Sequence, residues 1–154
     1  MSETTIQASI QSKLRALPEF NDDDVVIADW SMLDGPIASA PYARIMPADD
    51  FTWRQDTREV IVSWTIPVVL YVEFFQWAGS YAEMVTLRQA VLNAFDGDDS
   101  SLDASGYAML TQMSAGTPIG YYYAPYISDQ NDPEALPLAL FQVIAFAVQE
   151  RICS

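Results

Sequence analysis

The residues best supplied for chemistry in this chain are carboxylates. Asp22, Asp23 and Asp24 are consecutive, and Asp96, Asp98, Asp99 and Asp103 crowd a second short stretch. Divalent-cation binding is therefore the first chemistry to weigh. A calcium loop puts its glycine after three alternating oxygen ligands and a bidentate glutamate further on. In Asp96-Gly97-Asp98-Asp99 the glycine comes second and no glutamate follows in place, so solvated turns are the expectation for both clusters. A glycosidase-like pair of carboxylates could be distant along the chain, but nothing selects a pair.

Histidine is absent. That removes the commonest general base, the serine and cysteine triads and the usual zinc ligands. The single cysteine, Cys153, is next to last in the sequence, where a frayed end would hold a nucleophile poorly, and it reads as a passenger thiol. The six glycines, at positions 35, 79, 97, 106, 116 and 120, form no phosphate-cradling loop. The expectation is a protein that is not an enzyme and carries no metal or cofactor.

The remaining chemistry is that of surfaces. Acidic residues number 21 against 7 basic ones, for a net charge of −14, and Lys13 is the only lysine. Such a surface repels phosphate and has few cations to replace released counterions, which disfavours ordinary nucleic-acid binding. A basic protein partner fits it, and so does the wall of a channel along which DNA slides without sticking. Simple solubility is the plain alternative. Aromatic rings are plentiful, notably Tyr121, Tyr122, Tyr123 and Tyr126, but no basic residue lies between Arg88 and Arg151, so a stacking platform for single strands is not built there. Core packing and protein contact remain for those tyrosines.

With 154 residues, 51% of them hydrophobic and 18% charged, the chain suits one domain with a proper core, and its low charge content suggests apolar surface shared between subunits. A single cysteine allows no intrachain disulfide, so cytoplasmic folding is expected. The N-terminus has no basic segment leading into an apolar one, and no run reaches membrane-span length, so neither export by a signal peptide nor membrane insertion is expected.

The elements that must carry these surfaces follow from periodicity. Thr4 three residues before Gln7 suggests a capping box for a helix over about 4–17, with Ile6, Ile10, Leu14 and Leu17 on one face. Val25 to Trp30 and Tyr42 to Met46 read as strands, and Pro47 to Asp56 as a loop bearing Phe51, Trp53 and Arg54. Residues 59–75 alternate without a break, Val60, Val62, Trp64, Ile66, Val68, Leu70, Val72 and Phe74 forming one apolar parity. Pro67 in that run should mark an edge, a bulge or a break. Ser80 and Glu83 suggest a capped helix over about 80–95, closed by Asp96-Gly97. A hairpin over about 107–127 and a strand over about 138–150 complete an α+β domain, 1–154. Its sheet is expected to be mixed and mainly antiparallel, with the two helices on one face; a helix is the rival state for the last segment.

This order resembles the tail terminator, or tail-completion, proteins of long-tailed bacteriophages. The shared texture is the N-terminal amphipathic helix, the long strand ending Leu70-Tyr71-Val72-Glu73-Phe74, the capped helix, the hairpin and the strand ending Phe146-Ala147-Val148-Gln149-Glu150. The resemblance spans nearly the whole chain and concerns architecture and length, without a short diagnostic motif. It implies a virion component, assembled in the host cytoplasm, that forms a ring, usually a hexamer, on the tail tube. Such a ring ends tail polymerisation and meets the head-side connector or neck protein, while DNA passes through without specific binding. On that reading Phe51, Trp53, Arg54, Arg58, Tyr121, Tyr122, Tyr123 and Tyr126 are expected at interfaces, and the loop with Asp96, Asp98, Asp99 and Asp103 faces the lumen. A neck or connector subunit is the near alternative. Two other classes compete: an acidic inhibitor or immunity protein for a basic partner, and a histidine-free enzyme or ligand module built on carboxylates.

Overall fold

The computed structural model describes residues 3–29, 37, 40–55, 57–96, 102, 108–121 and 137–153. Its centre is a pair of long strands, β4 (Glu59–Glu73) and β7 (Ala139–Cys153). They are antiparallel over their whole length, from Glu59 opposite Cys153 to Glu73 opposite Ala139. The final segment is thus a strand, and the backbone of Cys153 lies in the central ladder.

The apolar parity of β4, from Val60 to Val72, shares one face with Leu140, Ile144, Phe146 and Val148 of β7. Helix α1 (Glu3–Arg15) covers that face with Ile6, Ile10 and Leu14, and α2 (Trp77–Ala94) covers it with Met84, Leu87 and Val91. Each such side chain contributes about 1.5–3 kcal/mol when fully withdrawn from water. With both helices on one side of a seven-stranded, mainly antiparallel sheet, the chain is α+β.

Both long strands are flanked by interrupted partners. Strands β2 (Tyr42–Ile45) and β3 (Asp50–Gln55) lie end to end along β4, and β1 (Val25–Ile27) adds to β2 in parallel. The expected loop over 47–56 is therefore mostly strand: the backbone of β3 pairs from Asp50 opposite Thr65 to Gln55 opposite Val60, although all six of its side chains are exposed. On the other flank β5 (Ala108–Ala115) and β6 (Ile119–Tyr121) lie end to end along β7. They do not pair with each other, so within 108–121 the expected 107–127 hairpin gives way to one broken strand against β7, while 107 and 122–127 lie outside the described residues. The reason is length, because fifteen residues of β7 offer a ladder to both pieces.

Pro67 neither ends nor breaks β4. It sits where the neighbour changes from β2 to β3, and its carbonyl still accepts the Met46 N–H at 2.8 Å. The return bond, from residue 67 to the Met46 carbonyl, is the one proline cannot donate. Gln7 Nε2 donates to that carbonyl instead, at 2.9 Å, and Glu3 Oε1 accepts the Ala48 N–H at 2.7 Å. Gln7 is thus a buried bridge between α1 and the sheet, in place of the helix cap that its spacing from Thr4 suggests.

Helix α2 likewise starts earlier than its apparent capping box, with Gln76 at the cap position. Ser80 is buried in the first turn, where its hydroxyl accepts the Phe75 N–H at 3.0 Å and fixes the entry of the chain.

Candidate interaction surfaces

At one end of the sheet, β3 and β4 extend beyond the helices. Pairing with Trp64 and Val62 puts Phe51 and Trp53 on the helix side of the sheet, yet they remain 55% and 65% exposed because, among the described residues, no helix reaches them. The Phe51 ring leans on Trp64, with centroids 5.7 Å apart. Ile152, opposite Val60, extends this apolar strip. Arg54, opposite Ile61, takes the other face, and Arg58 is exposed beside the start of β4. Aromatic groups on a backbone-paired strand with arginines nearby are suited to contact another protein.

Tyr121 belongs elsewhere. It lies opposite Ala139, itself opposite Glu73, nine residues along β4 from the partner of Phe51, or about 30 Å at strand rise. Its side chain is buried within the chain, with its ring 5.3 Å from that of Tyr71, so it is a core tyrosine of the monomer. Tyr122, Tyr123, Tyr126, Asp98, Asp99 and Asp103 lie outside the described residues, and Asp96 is exposed just past α2. The expected interface set is therefore brought together only for Phe51, Trp53, Arg54 and Arg58.

The cluster around Tyr71 was not legible in advance. On the face away from the helices, Arg44 is 1% exposed and donates from Nη1 to Tyr71 Oη at 3.2 Å. Its guanidinium carbon lies 5.6 Å from the Tyr42 ring centroid and 5.3 Å from that of Tyr71, within cation–π range. Burial opposes the Arg44 charge, but the phenol groups of Tyr71 and Tyr121 together outweigh it and leave the guanidinium more basic than usual. Burial pushes the Tyr71 phenol up, with Arg44 pulling partly the other way. Arg44 lies beside an aromatic-rich second core that includes Tyr42, Tyr71, Tyr121, Val69 and Ala28, with Phe141 packed against it. Alternation within Tyr42-Ala43-Arg44-Ile45 was the only available signal, and it pairs Arg44 with a tyrosine without revealing burial.

Two concave places adjoin α2. One, of about 540 Å³, has Val72 and Leu87 in its wall and Glu19, Glu73 and Glu83 among its lining residues. The other, of about 350 Å³, lies between Trp77, Tyr81, Pro118 and Leu140. Among the described residues no group of three or more His, Cys, Asp or Glu side chains is placed to hold a metal ion.

No protein-family model matches the chain, and no curated protein matches it in sequence. Solved structures do share its fold. A chain from the virion of a native gene transfer agent particle aligns with a TM-score of 0.53 at 16% identity, over 96% of this chain and 94% of its own length. A second solved chain aligns with a TM-score of 0.50, also at 16% identity, over 100% of this chain and 99% of its own. At such identity the likeness is one of fold, and it extends from end to end.

Proposed function

We propose that this chain is a structural subunit of a phage-type virion, and specifically a tail terminator: a ring, most simply a hexamer, that closes the tail tube and joins it to the head-side connector. The observation that carries the reading is the end-to-end fold likeness to a gene transfer agent virion chain. Three features of this chain support it. Its sequence has no histidine and no catalytic constellation. It exposes Phe51 and Trp53 on a strand paired along its length with β4. Its net charge of −14 suits a lumen through which DNA moves without binding.

A ring of heterologous contacts closes on itself and stops sideways growth, while the hairpin end or the opposite end of the sheet meets the tube. The test is light scattering at moderate salt over a range of concentrations, with particles imaged by electron microscopy. A discrete annular assembly near six times the 17.2 kDa chain supports the reading. A monomer at every concentration overturns it and leaves the acidic inhibitor as the better account, since that class requires no self-association.

A further inference from the structure

Where the sheet extends past β2, its strand order is β3-β4-β7-β5, and among the described residues neither outer edge is paired: no strand lies beyond β3 or beyond β5. Such edges present rows of unused N–H and C=O groups, and native monomers normally blunt them with lysine, proline or covering elements. Among the described residues neither edge strand carries a lysine or a proline, and the one irregularity of β5 is a bulge between Leu110 and Gln112. β5 is Ala-Met-Leu-Thr-Gln-Met-Ser-Ala, without a charge or a proline, and β3 carries one Asp and one Arg, so both edges are neutral in a chain of net charge −14. Two copies can therefore bring these strands together without a net like-charge repulsion between the strands themselves.

The two edges also match in direction and in side chains. β3 runs opposite to β4, β4 opposite to β7 and β7 opposite to β5, so β3 and β5 run in opposite senses. A second copy set beside the first by a simple rotation brings its β5 against β3 as an antiparallel pair. The helix-bearing faces then stay on the same side. On that side β3 presents Phe51 and Trp53, and β5 presents the half-buried Met113, opposite Phe146 of β7, while Leu110, opposite Val148, is already buried in the chain's own core. Cross-strand packing of aromatic on aliphatic side chains would cover the two most exposed rings of the hairpin.

We infer that copies of this chain join edge to edge, β3 of one to β5 of the next, so that the sheets run on from subunit to subunit. The contact is heterologous, and its two halves are different surfaces. This rests on the ring reading, for which it supplies the joint.

The experiment uses full-length chain in a Cys153→Ser background, with one population carrying Thr52→Cys and the other Ser114→Cys, mixed and treated with a short bis-maleimide. Light scattering is run on the same samples. The expected result is efficient cross-linking in the mixture and little in either population alone. An oligomer that gives no mixed cross-link, or that cross-links equally well through Thr52→Cys alone, overturns the edge contact and leaves the ring standing. A monomer overturns both.

A backbone variant gives a second test. Gly116 N–H donates to Val143 at 2.9 Å, toward β7, so by alternation the N–H of Ala115 points outward. Ala115→Pro therefore removes an edge donor without breaking the chain's own ladder. Its mass should fall to that of one chain with circular dichroism unchanged; assembly at the wild-type level rejects the proposal.

Discussion

The side chain of Gln7 supplies the hydrogen bond to the Met46 carbonyl that Pro67 cannot make. A central strand tolerates proline here because its missing donor faces the junction of β2 and β3, and α1 lies close enough to fill in. The first helix is thereby bound to the sheet by a buried polar contact as well as by Ile6, Ile10 and Leu14.

Gln7→Leu should destabilise the chain by about 1–3 kcal/mol, the cost of leaving a buried carbonyl unpaired. In a Pro67→Val background the loss should be smaller, because residue 67 regains the N–H that reaches Met46. Urea denaturation of the four proteins measures the coupling. Equal losses in both backgrounds would show that Gln7 does not stand in for Pro67.

The phenol of Tyr71 titrates above its ordinary value of 10.0, chiefly through burial. Between that value and the raised one, the unfolded chain has released the proton while the folded chain retains it. Stability should therefore be unaffected by this group below about pH 10 and should fall as pH rises beyond it. Tyr71→Phe should cost about 1 kcal/mol at neutral pH through loss of the bond from Arg44, and should flatten the alkaline decline. Thermal melts from pH 8 to 11 test both parts.

Gly120 lies where β6 passes Pro137 and Trp77. A β-carbon there would stand 2.9 Å from Pro137 Cγ and 3.0 Å from its Cβ, with Trp77 at 3.4 Å. The proline ring cannot rotate aside, so Gly120→Ala should destabilise by about 1–3 kcal/mol. Thermal melting of the variant checks this; an unchanged midpoint would mean that β6 shifts freely.

Trp53→Ala removes a ring that is 65% exposed in the single chain. Monomer stability should change by no more than about 0.5 kcal/mol, as for other surface substitutions. Assembly should weaken by tenfold or more in its midpoint concentration, as expected of a buried aromatic anchor. Sedimentation against concentration separates the two effects.

The parts of this fold most open to sequence reading were those with one buried parity. β4 declares itself because every second residue from Val60 to Val72 enters the core. β3 does not: all of Asp50 to Gln55 is exposed, and its extended state is imposed by backbone pairing with β4, which leaves no hydrophobic period. β5 and β6 are separated by Gly116-Thr117-Pro118, a turn-like triplet that suggests a reversal, whereas a long common partner holds both pieces in line. Of the residues expected at interfaces, Phe51 and Trp53 stand out in the sequence as large apolar groups amid polar neighbours, and both are exposed. Tyr121 was misplaced because a tyrosine serves a core as readily as a surface.

The full-length pairing of β4 with β7 has a consequence for the order in which the molecule can be made. Residues 59–73 emerge from the ribosome well before residues 139–153, their main ladder partners. Until then one backbone edge of β4 lacks its ladder partner, although α1 and α2, made earlier, can already cover its apolar face. Nonlocal pairing of this kind slows folding and prolongs the exposure of sticky strands. In a cell producing many copies at once, the delay sets the interval in which newly made chains are most open to aggregation or to capture by chaperones.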